Sequence, residues 1–227
     1  MSYVIAAPVQ PSVEVSGTAD RFPVHRIYCV GRNYAAHARE MGNDDREPPF
    51  FFSKPADAVV ANGSAVPYAS RTSNFHHEVE LVVALGAGGA NITAHKANSM
   101  IFGYAVGIDL TRRDLQSDAR DHGRPWDLSK GFDRSAPIGA IHPVKGTGVI
   151  ASAGIWLKVN GKDRQNANVS EMTWKVPEII AELSTLWELA AGDLIFTGTP
   201  AGVGALTPGD AIEAGIDGLG TLNVRIT

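Results

Sequence analysis

EVELVVAL, residues 78–85, starts with acidic and apolar side chains in alternation and then runs wholly apolar. A short apolar run of this kind, stopped by the turn Gly86 to Ala90, fits a strand buried on both faces. Phe102 to Leu110 reads as a second long apolar strand. Around this pair the chain offers shorter strands at His25 to Val30, Phe50 to Ser53, Ala58 to Ala61, Asp193 to Thr197 and Thr221 to Ile226. Ile155 to Val159 and Lys162 to Gln165 form a hairpin across Asn160-Gly161, a pair suited to the positive φ angles of a type I′ turn.

Helices are few. Asn33 to Met41 reads as a short helix capped by Asn33 and ended by Gly42, and the polar segment Asn43 to Pro49 after it reads as a mobile loop. Thr93 can cap a helix that runs to Met100. Thr111 and Asp114 form a T-x-x-D capping pattern, opening a helix that Gly123 closes. Val176, Ile179, Ile180, Leu183, Leu186 and Trp187 recur at helical spacing, with Pro177 near the first turn. Strands dominate and βαβ alternation is poor, so the class is α+β with a β-rich core. Residues 1–24 read as an N-terminal arm or hairpin and residues 25–227 as a single catalytic domain.

Composition narrows the function. The 227 residues carry 20 Lys and Arg against 24 Asp and Glu, a net charge of −4. That balance argues against a nucleic-acid partner, which calls for a basic face. No apolar run approaches the roughly 20 residues of a membrane helix, so no membrane partner is expected. The N-terminus lacks the basic flank of a secretory signal. The single cysteine, Cys29, cannot form an internal disulfide, which points to a reducing, cytoplasmic setting.

Three carboxylates stand out. Glu78 and Glu80 are two apart at the head of an apolar strand, so they share a face. Asp109 closes the other apolar strand. Buried together they would repel unless a cation sat among them. Their oxygens suit a hard ion: Mg²⁺, Mn²⁺ or Ca²⁺. The competing reading puts Glu78 and Glu80 on the solvent face of an edge strand and makes Asp109 a helix cap. His37 and Glu40 lie at i, i+3 spacing, where a carboxylate can orient an imidazole and raise its basicity; the alternative is a solvated surface pair. Arg113 and Gln116 share a helix face just after Asp109. Lys130 sits in a glycine-flanked loop, and Lys54 precedes a proline. His76 and His77 cannot easily share one ion, because adjacent strand residues point to opposite faces. FTGTPAGVG (196–204) fits neither a P-loop nor a dinucleotide turn.

Seven separated motifs, in order, resemble the fumarylacetoacetate hydrolase family. They are GRNYAAHARE (31–40), FFSKP (51–55), HHEVELVV (76–83), GYAVGIDLTRRDLQ (103–116), PWDLSKGFD (125–133), WLKVNGKDRQ (156–165) and FTGTPAGVG (196–204). The short form is similar to acylpyruvases and fumarylpyruvate hydrolases. The resemblance implies a mixed β-sandwich roll, a homodimer, and a divalent metal, Mg²⁺ first, held by Glu78, Glu80 and Asp109. It implies a His37–Glu40 dyad on a short helix over the ligand, with Lys130 in the same catalytic group. It also implies that Arg113, Gln116, Thr199 and Lys54 meet the substrate.

The implied reaction is hydrolysis of a carbon–carbon bond in a 2,4-diketo acid, foremost fumarylpyruvate to fumarate and pyruvate in gentisate-type aromatic catabolism. Oxaloacetate decarboxylation and isomerisation of a dienoic keto acid are same-family alternatives. A non-catalytic protein stabilised by a structural metal is the alternative from another class. Arg32, Arg71 and Arg124 are the candidate cations for a distal carboxylate.

Overall fold

The computed structural model describes residues 2–34 and 47–227. The strand Val79–Leu85 is buried along its whole length and lies inside a mixed sheet. The order across that sheet is Phe50–Lys54, Ile27–Gly31, Leu194–Phe196, Val79–Leu85, Ile101–Ile108, Ala136–Ile138 and Val59–Ala61. Neighbours run antiparallel except for two parallel pairs, Leu194–Phe196 with Ile27–Gly31 and Ala136–Ile138 with Val59–Ala61. A five-stranded sheet, built on the hairpin Gly154–Val159 and Lys162–Asn168, packs over one face.

The apolar run follows from this layering. Leu81, Val83 and Leu85 face the larger core with Ile155, Leu157, Ile212 and Leu222. Val82 and Ala84 face a second core closed by Val13, Val15, Phe22 and Val24. Those closing residues lie in and beside a two-stranded hairpin, Ser12–Glu14 with Arg21–Pro23. With both faces covered, a near-continuous apolar strand is what burial demands. The β-rich α+β class holds, and the helices among the described residues are short.

Register places the acidic residues. Val79 pairs with Ile108 and Glu80 with Gly107. A Cβ at Gly107 would clash with the Val82 side chain and come within 2.7 Å of the Phe196 ring, so only glycine lets the sheet close beside Glu80. Asp109 lies one residue past the strand end, and its N–H donates to the Glu78 carbonyl at 2.8 Å.

Several local readings change. The helix after Asp109 is Arg113–Asp121, and Thr111–Arg112 is a short strand paired with Phe75–His77. Thr111 therefore caps nothing, and Asp114 instead accepts from the Thr72 hydroxyl (2.6 Å) and the Ser73 N–H (2.9 Å). Gly123, at φ 62°, still ends this segment. Lys130 closes a short helix, Asp127–Lys130, rather than lying in a loop. The helix Val176–Leu186 buries Val176, Ile179, Ile180 and Leu183, but Leu186 and Trp187 are exposed because the helix stops there. The expected helix beyond Tyr34, with His37 and Glu40, lies outside the described residues, as does the start of the 43–49 segment. Asn33 is fully buried. Its amide donates to the carbonyls of Trp174 and Thr197 and accepts the Trp174 N–H.

Candidate metal centre and ligand cleft

Glu78, Glu80 and Asp109 are 5%, 2% and 0% exposed, and their ligand atoms lie within 4.8 Å of one another. The strand that carries Glu80 is central, so the edge-strand reading fails. Asp109 caps no helix, since Arg112 occupies the N-cap position. The three carboxylates line one cleft together with Arg113, Gln116, Lys130 and Thr199.

Cations surround the triad. Lys130 Nζ is 2.8 Å from Glu78 Oε2, 2.6 Å from Asp109 Oδ2 and 2.6 Å from the Thr111 hydroxyl. Burial alone would lower the Lys130 pKa, but the charges of Asp109 and Glu78 outweigh it and raise it. Lys54 Nζ approaches Asp109 Oδ1 at 2.8 Å from behind and also donates to the carbonyls of Leu110 and Lys130. It is fully buried and does not line the cleft. Arg113 binds Glu78 Oε1 and the Gln116 side-chain carbonyl through its two terminal nitrogens. Its Nε donates to His76 Nδ1 at 3.4 Å, so His76 Nε2 carries the proton and donates to Asn74 Oδ1 at 2.8 Å. Burial, and next the Arg113 charge, hold His76 near a pKa of about 4, and it stays neutral.

Glu80 behaves differently from its neighbours. Its Oε2 accepts the Gly198 N–H at 2.8 Å. Burial first, and the charges of Asp109 and Glu78 next, hold its carboxyl well above the ordinary range. Gly198 adopts φ 95°, and a Cβ there would lie 2.7 Å from Asn33 Cβ, so the TGTP turn requires glycine to bring this N–H to Glu80. Among the described residues Asp109 Oδ1 is buried without a hydrogen-bond donor; the Lys54 ammonium lies 2.8 Å away but is misdirected for a hydrogen bond. A buried carboxylate oxygen with no hydrogen-bond donor, beside a second carboxyl of raised pKa, fits a cation site, and an all-oxygen donor set fits a hard divalent ion. Zinc ligation by the histidines finds no support. His77 pairs with Gln165 Oε1 at 3.1 Å, and neither histidine belongs to the carboxylate cluster.

Sequence reasoning misses two residues. Gln165 is buried in a hairpin strand and ties the site together: its Oε1 accepts the Val79 N–H, and its Nε2 donates to the Thr199 hydroxyl and the Pro200 carbonyl. Nothing in its local pattern marks it. Arg120 lines the cleft, and its signal is legible: positions 113, 116, 117 and 120 share one helix face, and all four line the cleft. Arg32 lines it too, whereas Arg71 and Arg124 do not.

A buried acidic triad that opens from a mixed β roll onto a cation-lined cleft defines a metal-dependent enzyme site. The chain belongs to the fumarylacetoacetate hydrolase family: the model of its C-terminal domain matches residues 26–227. The crystal structure of fumarylpyruvate hydrolase from Pseudomonas aeruginosa, in complex with Mn²⁺ and pyruvate, superposes with a TM-score of 0.97. It is 51% identical, over 100% of this chain and 99% of that one. A fumarylpyruvate hydrolase of Ralstonia sp is 44% identical over 79% of this chain and 93% of its own length. A mitochondrial oxaloacetate tautomerase of Rattus norvegicus is 42% identical over 88% of this chain and 90% of its own.

Proposed function

We propose that this protein hydrolyses the carbon–carbon bond of fumarylpyruvate to give fumarate and pyruvate. The observation that carries the reading is the buried triad with Lys130, Arg113 and Gln116 beside it, in a chain 51% identical to a fumarylpyruvate hydrolase. Glu78, Glu80 and Asp109 would hold the divalent ion, for which Mg²⁺ is our choice. That ion would supply Lewis-acid stabilisation of the charge developing on the substrate's oxygens.

The chain's own residues account for the remaining tasks. Arg113 and Gln116 bind and orient the keto-acid head from one helix face. Lys130, held positive by its carboxylate neighbours, offsets negative charge at the reacting carbonyl. Lys54 fixes Asp109 from behind and so positions a ligand rather than touching substrate. Thr199, tied by Gln165, closes the wall beside the head group. Hydrolysis also needs a proton acceptor for water; we assign it to His37, oriented by Glu40, both outside the described residues. We further read the protein as a cytoplasmic homodimer serving gentisate-type aromatic breakdown.

A second reading, tautomerisation or decarboxylation of oxaloacetate, draws on the 42% identical rat relative. A panel of fumarylpyruvate, maleylpyruvate, acetylpyruvate and oxaloacetate with Mg²⁺, followed by product identification, separates the two. Stoichiometric fumarate and pyruvate are expected. Turnover of oxaloacetate with none of any diketo acid would replace the first reading with the second.

A further inference from the structure

We propose that Arg120 determines specificity by receiving the carboxylate at the far, acyl end of the substrate. This rests on the hydrolase reading and extends it to the substrate class, acylpyruvates with an anionic acyl group.

Arg113 and Arg120 lie seven residues apart on the cleft face of the helix Arg113–Asp121. At about 1.5 Å rise per residue, their Cα atoms are roughly 10 Å apart along the axis. Arg113 is anchored on Glu78 at the triad end, so Arg120 places a second cation about that far along the cleft. A diketo acid with six carbon–carbon bonds between its two terminal carboxyl carbons spans roughly 7–8 Å at about 1.3 Å per bond, before its oxygens are added. That length fits a molecule whose keto-acid head sits at the triad and whose tail meets Arg120.

The guanidinium is available. Its one ion-pair partner among the described residues is its sequence neighbour Asp121 at 3.0 Å, with both side chains about half exposed. Exposed pairs of this kind contribute little and give way to a better-placed anion. Phe52 and Trp126 also line the cleft, with ring centroids 5.7 Å apart. The two rings touch and so form one aromatic surface of the cleft, against which a flat unsaturated linker can lie. Arg124 does not line the cleft.

The test compares kcat/KM for fumarylpyruvate with that for acetylpyruvate, which lacks the distal carboxylate, in the wild type, Arg120→Ala and Arg120→Lys. Loss of a charge-assisted bidentate contact should lower the fumaryl-to-acetyl ratio roughly 10–100-fold in Arg120→Ala. Arg120→Lys, which keeps the charge and loses the fork, should fall between. A ratio within about twofold of wild type in a folded Arg120→Ala protein would overturn the assignment. A wild type that cleaves neither acid would sink the hydrolase reading instead. Equilibrium binding of the same two acids, read as the same ratio, then still decides the arginine.

Discussion

Replacing Lys130 with methionine removes one positive charge while keeping most of the side chain's length. In the wild type that ammonium satisfies Glu78, Asp109 and Thr111 at 2.6–2.8 Å, and it is 2% exposed. Removing one partner of a buried ion pair costs about 3–5 kcal/mol, because the other charge is left uncompensated. In a chain of 227 residues each kcal/mol shifts the melting temperature by about 2–4 °C, so Lys130→Met should melt roughly 6–20 °C lower in chelator. Adding Mn²⁺ should recover much of that loss, since a cation among the carboxylates replaces the missing charge. Turnover should stay depressed by about 10²-fold or more, because the proposed charge stabilisation at the reacting carbonyl is a task separate from stability. Paired thermal melts in EDTA and in Mn²⁺ read the effect. If the two melts fall by the same amount, the contribution of Lys130 does not lie in its charge beside the carboxylates, and the charge argument fails.

Chelation should abolish turnover and Mg²⁺ or Mn²⁺ should restore it; Glu80→Ala should weaken metal binding, measured by titration calorimetry, and full activity in verified metal-free protein would remove the ion from the reaction. His37→Ala should lower diketo-acid cleavage by about 10²–10⁴ with metal affinity unchanged, whereas a slow oxaloacetate decarboxylation should survive better; equal loss of both would make His37 a shaping residue rather than a base for water. Asp114→Asn should destabilise the fold by about 1 kcal/mol at neutral pH, a value already discounted for exposure. Burial pushes the Asp114 carboxyl up, but the Thr72 hydroxyl and the N–H groups of Ser73 and Leu115 outweigh it and lower its pKa. The wild-type advantage is therefore present above the ordinary carboxylate pKa and is lost as pH falls through the depressed folded value. Denaturant melts at pH 7 and pH 3 should show the gap closing, and a constant gap would contradict the linkage.

Much of the fold is legible in one dimension. The central strands show because burial on both faces leaves a short apolar run that little else produces. The carboxylates show because acids at the ends of such runs are anomalous. Spacing alone cannot decide between a central and an edge strand, since that depends on Leu194–Phe196 arriving from far along the chain to cover the open side. The T-x-x-D pattern misleads for a related reason. A capping box is a local preference, and here Asp114 is drawn away by the 72–73 loop while Thr111 is drawn away by Lys130. Gln165 leaves no trace because its partners, Val79, Thr199 and Pro200, are remote in sequence. The placement of Lys54 is equally hidden, because a lysine buried against Asp109 and a lysine lining the cleft look alike in a string of letters.

The charge arrangement explains why these parts occur together. Three carboxylates face three side-chain cations, Lys54, Lys130 and Arg113, so the cluster is close to neutral without an ion. Neutrality of the whole cluster does not relieve the carboxylates of one another. Two like charges 4.8 Å apart repel by about 3–4 kcal/mol at an effective dielectric of 20, more than two powers of ten in proton affinity. Lys130 and Lys54 reach Asp109, and Lys130 and Arg113 reach Glu78, whereas Glu80 gains the Gly198 N–H and no ion pair among the described residues. Glu80 is accordingly the member whose carboxyl burial and its two acidic neighbours push up. A divalent ion held by the three carboxylates would add positive charge to a cleft that Arg120 also lines. Such a charge would favour an acidic substrate, so on the proposed function the carboxylates that would hold the metal would also select for an anionic ligand.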